Sequence, residues 1–499
     1  MTPTTAPTTR RPPPTRAASA LAALLLLLLL AQTALASEGD ASPAYWRCVR
    51  ECQVTGCASM ATTSSKADCS AVCAATPGVG VPPGRRDRSS NPTPLALRLT
   101  RWDCSSDCKY LCMWAAEGQR RAQWEEQDRR AREKVVVVEE AEEEEHEQAE
   151  DGTATERRAP QPPPTPPPPF QTYKYFGKWP FTRVLGAQEI GSVLTSLLNL
   201  AAVAHNLVLY TRALKKTMPA ASSPSSPSPS TPHLLSLVLR NRHPYPYALL
   251  WYAHGLSACN AWLWSAVFHT RDTRLTERLD YFSAGALVAA GLATALARAA
   301  GRWLAPPRER AARAGALASA AAFAWWLSHV RYLALVKFDY SYNMAVCIAL
   351  GIAQAVVWLA FLLVRSGGSG SQQHHHPPPP PSGRKPALLF LLAIHAAMLL
   401  EVLDFPPLVF ALFDAHCLWH AATAPLAYLW WSFLLADVAW VCSLVGVAGG
   451  GGGGGGGGVS AGGKGPVGAA RGGSASPGGA SSGGGDYEDA AIERRRRRV

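Results

Sequence analysis

Apolar and polar residues are segregated along this chain rather than mixed. From Gly186 onward seven apolar segments recur, at about 187–211, 247–268, 279–299, 314–335, 342–364, 386–404 and 416–437. Each is close to the ~20 residues an α-helix needs to cross a bilayer. The pattern therefore predicts an all-α membrane protein built on a bundle of seven transmembrane helices. Pro406-Pro407 falls between the last two segments and makes them the hardest to bound. A shorter apolar run at 21–30 follows Arg10, Arg11 and Arg16 and precedes Ala34-Leu35-Ala36. A basic start, a core too short to span and a small-x-small motif predict a secretory signal peptide over 1–36.

The polar regions between these runs differ from one another. Eight of the 12 cysteines lie between Cys48 and Cys112, and the other four lie in apolar runs. Eight cysteines behind a signal peptide predict four disulfides in an oxidising lumen, with the connectivity open. Cys48 and Cys52, Cys69 and Cys73, and Cys104, Cys108 and Cys112 are spaced four apart. Each set thus shares a helix face, which predicts helices stapled to each other. Zinc is the alternative, but the spacing is not CxxC and luminal thiols oxidise.

An acidic run at 139–151 and a proline run at 160–169 read as a solvated linker. The Ser/Pro stretch at 222–232, the Gly/His/Pro stretch at 366–382 and the Gly/Ser tail ending in Arg494–Arg498 are low-complexity and read as disordered. His374–His376 sits in one of these and reads as incidental. The expected organisation is a signal peptide at 1–36, a small cysteine-rich luminal domain at 37–130, a disordered linker at 131–172, the bundle at 173–446 and a cytosolic tail at 447–499.

Composition changes this picture in one respect. Mean hydropathy is near zero, yet that average covers two unlike populations, which excludes both an ordinary soluble globule and a wholly disordered chain. The formal charge of +12 is unevenly placed. Its basic excess falls in Arg212, Lys215, Lys216, Arg240 and Arg242, then Arg302, Arg308, Arg310 and Arg313, then Arg384 and Lys385, and then the tail. The positive-inside rule makes those loops cytosolic, in agreement with a signal peptide that delivers the cysteine domain to the lumen. The charge reports orientation, not a nucleic-acid partner.

Ionisable residues inside spans are costly and mark functional sites by default. Ser265 and His269 close the second segment, Asp280 opens the third, and His416 and His420 open the seventh, all at one expected depth. Ser265 and His269 are one helical turn apart, as are His416 and His420. Three histidines on two helices match the three-ligand form of a catalytic zinc site. Asp280 is then placed to accept a proton and Ser265 to hydrogen-bond a developing oxyanion. A Ser265–His269–Asp280 triad is the metal-free alternative, but it leaves His416 and His420 without a role. His205, His254, His329 and His395 are further intramembrane histidines, for which packing or interhelical hydrogen bonding is the plainer reading.

Several strings resemble one family: YWRCVRECQVTGC, WDCSSDCKYLCMW, KYFGKWPFTRVLGAQE, NAWLWSAVFHTRDTRLTERLDYF, VKFDYSYNM and EVLDFPPLVFALFDAHCLWHAATAP. The family is that of the post-GPI attachment to proteins factor three and Per-like proteins, within the CREST group of seven-span hydrolases. Its SxxxH, Asp and HxxxH pattern falls on Ser265, His269, Asp280, His416 and His420 without gaps. The resemblance implies Zn2+ held by the three histidines. It also implies hydrolysis of the sn-2 acyl ester in the phosphatidylinositol of GPI-anchored proteins, a phospholipase A2-type reaction in GPI-anchor lipid remodelling. GPI-anchored proteins and their lipid are the implied partners. Animal relatives place the chain in the Golgi membrane and fungal ones in the endoplasmic reticulum. A ceramidase-like amidase and a non-catalytic seven-span receptor or chaperone are the alternatives. One departure is Gln188-Glu189-Ile190 where Gln-Glu-Pro is expected, outside the metal pattern.

Overall fold

The computed structural model describes residues 38–58, 68–74, 95–150, 167–218, 234–240, 242–303, 308–363 and 379–444. The expected signal peptide, the Ser/Pro stretch, His374–His376 and the tail from Gly449 lie outside the described residues.

The N-terminal region is a set of helices tied together by sulfur. Helix α1 (Pro43–Thr55) starts on a proline at its first turn and stops at Gly56, whose φ of 75° allows its N–H to reach the Cys52 carbonyl. A two-residue antiparallel pairing follows, β1 (Cys57–Ala58) with β2 (Asp68–Cys69), which places Cys57 opposite Cys69. This pairing is the one strand element among the described residues. Short helices α2 (Ala71–Ala74) and α3 (Leu95–Leu99) lead into the long α4 (Cys104–Glu150).

Disulfides Cys48–Cys112 and Cys52–Cys108 bind α1 to α4, and Cys73–Cys104 binds α2 to it. The four-residue spacing does what it predicts on α1 and α4, where partners one turn apart meet partners one turn apart, but Cys69 lies in β2 and shares no helix face with Cys73. Cys52, Cys73 and Cys108 crowd together, but all three sulfurs are consumed by disulfides and are not metal-binding thiolates. The core beneath the bridges is small, with Tyr45, Val49, Met113, Ala116 and Tyr175 at its centre. A core of that size depends on its cross-links, each worth about 2–4 kcal/mol.

The expected linker boundary at residue 131 is not where α4 ends, because the helix continues through Glu150. Ion pairs one turn apart support its exposed part: Arg130 with Glu126, Arg132 with Asp128 and Arg129 with Glu133. Residues 167–171 return along it. The Trp124 indole donates to the Pro168 carbonyl at 2.7 Å, and Arg120 donates to the Gln171 carbonyl at 2.8 Å.

The bundle consists of α5 (Ile190–Lys216), α7 (Ala248–Thr270), α8 (Arg274–Trp303), α9 (Arg308–Leu335), α10 (Tyr340–Leu363), α11 (Pro381–Leu403) and α12 (Ala415–Leu444), with a short α6 (Leu234–Leu239) beside α7. Each of the seven apolar segments coincides with one long helix. Five of these, α5, α8, α10, α11 and α12, are long and apolar enough to cross a membrane. Helices α7 and α9 fall short for a compositional reason. Helix α7 carries His254, Ser257, Asn260, Ser265 and His269, and α9 carries Ser319, Trp325, Trp326, Ser328, His329 and Arg331 after its charged start.

Helix α12 is the hub, packed between α11 and α5. From α5 the order continues through α7 to α8, against which α9 and α10 pack. The centre is aromatic, with Trp251, Trp358, Trp430 and Phe433 in mutual contact. This order brings the ends of α5, α7, α11 and α12 together, and the candidate site forms there.

Candidate metal centre

Helix α12 is started by Asp414, whose carboxylate accepts the backbone N–H of Cys417 at 2.8 Å. That cap places His416 in the first turn and His420 one turn deeper. The neighbouring helix α5 approaches closely because residue 191 is glycine. A Cβ there would lie 2.5 Å from the Leu412 carbonyl oxygen and 2.9 Å from the Cys417 sulfur. Close approach lets Asn199 on α5 donate to the His420 carbonyl at 2.7 Å and Thr423 donate to the Asn199 side chain at 3.2 Å.

His269 comes from the last turn of α7. Its ring centre lies 5.2 Å from that of His416 and 5.3 Å from that of His420, and the two α12 rings are 4.4 Å apart. One nitrogen from each of the three histidines falls within 4.8 Å of the others. His269 and His420 are buried, whereas the His416 side chain is 33% exposed, so the site opens on the His416 side.

Each ring is held at Nδ1 by a different group. Glu189 Oε2 lies 2.6 Å from His269 Nδ1, Glu401 Oε2 lies 2.6 Å from His416 Nδ1, and the Ser196 hydroxyl lies 2.8 Å from His420 Nδ1. Three rings with Nδ1 engaged have Nε2 left for a shared ion. Metal-ligating histidines are ordinarily oriented by such partners. The donor set fits a three-histidine zinc or similar divalent site.

The Glu189 carboxylate is itself anchored. Lys178 Nζ lies 2.5 Å from its Oε1 and 3.3 Å from Asp272. Burial disfavours charge on both partners, but their mutual attraction wins. Lys178 is held above the usual lysine range, and Glu189, flanked by Lys178 and His269, below the usual carboxylate range. The backbone repeats the tie, since the Glu189 N–H donates to the His269 carbonyl at 3.1 Å.

Ser265 is buried one turn before His269, and its hydroxyl lies 3.0 Å from that of Ser196. It therefore joins the cluster through Ser196 rather than by touching a histidine. Asp280 lies in the second turn of α8. It is not among the atoms within 4.8 Å, and its electrostatic neighbours are His416, Lys178, Glu189 and Glu401. The other intramembrane histidines stay apart. His205 pairs with the Tyr428 hydroxyl, His329 with Asn343 and His395 with the Leu391 carbonyl, while His254 sits edge-on to Trp251.

Glu189, Glu401 and Ser196 carry no spacing signal relative to the histidines. Glu401 could have been singled out as an acid in an otherwise apolar segment. Glu189 stands in the one string that departs from the family pattern, yet its carboxylate touches His269.

The cysteine domain reaches this site through residues 173–189. Arg183 pairs with Asp107 at 2.6 Å and stacks over Trp102 and Tyr110, and the Trp102 indole donates to the Gly186 carbonyl at 2.8 Å. Arg271, just past His269, donates to the Ser106 hydroxyl at 2.8 Å. Lys174 pairs with Asp404, which also accepts the Trp179 indole at 2.9 Å.

No solved structure matches the chain. Among characterised proteins it is similar to "GPI-specific phospholipase A2-like PGAP3" of Danio rerio, with 30% identity over 81% of this chain and 91% of the relative. The human protein of the same description is 30% identical over 82% of this chain and 91% of its own length. "Protein PER1 homolog" of Schizosaccharomyces pombe is 28% identical over 80% and 87%. The sequence model of the Per1-like family matches residues 94–438, a stretch that contains every residue of the histidine cluster and its supporting groups. The chain is a multi-pass membrane protein with a disulfide-bonded N-terminal region, and it belongs to the Per1-like family.

Proposed function

We propose that this protein remodels the lipid of GPI-anchored proteins by hydrolysing the sn-2 acyl ester of their phosphatidylinositol, with a divalent metal, most simply zinc, held by His269, His416 and His420. The observation that carries the reading is the arrangement of three imidazoles, each engaged at Nδ1 by its own buried partner. The descriptions of the relatives as GPI-specific phospholipase A2-like direct that chemistry to a GPI lipid.

When bound, such an ion polarises an ester carbonyl and activates water near neutral pH. Asp280, next to His416 and Glu401 in the electrostatic sense, accepts the proton from water and returns it to the leaving alcohol. Ser265 donates its hydroxyl to the carbonyl oxygen as negative charge develops there. Its other contact, Ser196, hydrogen-bonds His420 and keeps that hydroxyl aimed at the cluster. Glu189 and Glu401 fix the rings of His269 and His416.

All seven long helices span the membrane in this reading. Helices α7 and α9 cross as well, with Ser265, His269 and His329 buried in the bundle. The cysteine domain faces the Golgi lumen and the C-terminus faces the cytosol. The site then lies in the luminal leaflet, where GPI-anchored proteins reside, and the sn-2 ester lies just below the headgroups. The disulfide domain positions the substrate over the opening at His416.

The test is metal analysis of the purified full chain together with lipid typing of GPI anchors in cells that carry His416→Ala. The expected result is stoichiometric metal in the native protein, its loss in the variant, and retention of the unsaturated sn-2 chain on GPI anchors. Normal remodelling by a stably expressed His416→Ala protein would overturn the reading. Product formation from ceramide instead of GPI lipid would reassign the substrate to an amide.

A further inference from the structure

Six exposed apolar side chains outside the helical spans lie at the histidine end of the bundle. They are Leu95 and Leu99 on α3, Leu185 in the turn before α5, and Leu408, Val409 and Phe410 in the turn before α12. Leu99 is 73% exposed, Leu185 80% and Phe410 84%.

These three elements touch in sequence. Gly186 seats the Leu185 turn on α3 so closely that a Cβ would lie 2.6 Å from the Thr100 hydroxyl and 2.8 Å from the Ala96 carbonyl oxygen. Thr182 then ties the same segment to the α12 turn. Its N–H donates to the Ala411 carbonyl at 3.0 Å and its hydroxyl to the Phe410 carbonyl at 2.8 Å. The six side chains therefore form one ridge.

The backbone along the ridge is unusual. Leu185, Val409, Phe410 and Ala411 have φ of 50°, 42°, 56° and 57°, the left-handed region that favours glycine. A non-glycine residue held there is strained. Contiguous exposed apolar surface in water is likewise unfavourable, by roughly 25 cal/mol per Å2. The exposed apolar surface calls for a partner that removes it from water.

The position of the ridge identifies that partner. Leu185 precedes α5 and Phe410 precedes α12 by five residues each, and both helices are long and apolar enough to cross the membrane. Exposed Tyr340 and Tyr342 open α10, another such helix, as interfacial aromatics do. Tyr340 has Glu401 and Asp404 as electrostatic neighbours, at the root of the loop that carries Phe410. The ridge is thus continuous with the lipid-facing surface of the bundle. Exposed Arg98 and Arg101 flank Leu99, as suits headgroup phosphates.

We propose that this ridge dips into the lipid leaflet at the histidine end and fastens the disulfide domain to that leaflet over the site. The occupant is the acyl layer of the host bilayer. The inference rests on membrane embedding alone and stands whether or not the histidines hold a metal.

The test places a photoreactive benzophenone amino acid, one at a time, at Leu99, Leu185 and Phe410 of the full chain in its native membrane with alkyne-tagged phosphatidylcholine. Leu392, exposed on the lipid-facing surface of α11, is the positive reference, and Val137, exposed on the charged stretch of α4, is the negative one. The expected result is lipid adducts at all three positions, in yields that match Leu392 and exceed Val137 several-fold. Yields at the Val137 level, adducts to protein in place of lipid, or lipid adducts at only some of the three would overturn the proposal.

Discussion

The bundle contains two buried polar clusters, and they are built in opposite ways. At one end His269, His416 and His420 point their Nδ1 atoms outward to Glu189, Glu401 and Ser196. Seventeen residues further along α12, about 25 Å at 1.5 Å per residue, Asp437 meets Arg298 of α8. Both are 1% exposed, and the pair makes contacts of 2.7 and 3.0 Å. The Tyr245 hydroxyl donates to the same carboxylate at 2.7 Å and accepts the Trp251 indole at 3.1 Å.

In the second cluster charge meets charge and the aromatic hydroxyl finishes the carboxylate, while Arg298 Nη1 stays buried without a hydrogen bond. It fastens α8, α12 and the entry to α7 together. In the first cluster Glu189, Glu401 and Ser196 each engage one ring at Nδ1, and one nitrogen from each ring lies within 4.8 Å of the others. The first arrangement gathers imidazole nitrogens from two helices, and the second ties helices together through an ion pair.

Breaking either cluster should show this difference, with the largest effect at the histidines. His420→Ala removes a ligand outright. It is expected to abolish bound metal and GPI lipid hydrolysis by well over the ~10–100-fold typical of a supporting residue. Helical content by circular dichroism should be retained, and chelation of the native protein should have the same effect. Asp437→Ala leaves Arg298 uncompensated in a dry interior and is expected to cost about 3–5 kcal/mol of stability. Thermal unfolding in detergent would record that loss, while metal per folded molecule stays at the native value.

Glu189→Gln keeps a hydrogen bond to His269 but loses the charge. It is expected to weaken metal affinity about 10–100-fold, measured against a zinc buffer. Glu401→Gln should act similarly through His416. The smallest effect is expected for the double change Arg298→Met with Asp437→Leu. Replacing a buried ion pair by apolar residues of similar volume is often neutral or stabilising, by up to about 4 kcal/mol. Its melting temperature should lie far above that of Asp437→Ala. A double variant as unstable as the single one would refute the view that the pair is only a fastening.

The two ends also differ in how far they could be read in advance. The three clustered histidines were legible because a helix repeats every 3.6 residues, so HxxxH at 416–420 and SxxxH at 265–269 state a shared face directly. The groups behind them were not. Glu189, Ser196 and Glu401 reach the rings across sequence separations of 80, 224 and 15 residues. Nothing periodic encodes such distances. The Arg298–Asp437 pair, 139 residues apart, was invisible for the same reason.

Local periodicity and hydropathy determined seven long helices, a cysteine-stapled N-terminal region and the identity of the three converging histidines. These are properties of short stretches whose physics, burial of apolar surface and a fixed helical repeat, does not depend on distant partners. Helix order decided the rest: which cysteines pair, that Ser265 meets Ser196, that Asp280 stands outside the tight cluster, and that residues 173–189 bind the disulfide domain to the site. Side chains far apart in sequence meet only when helices pack, and packing depends on all their surfaces together.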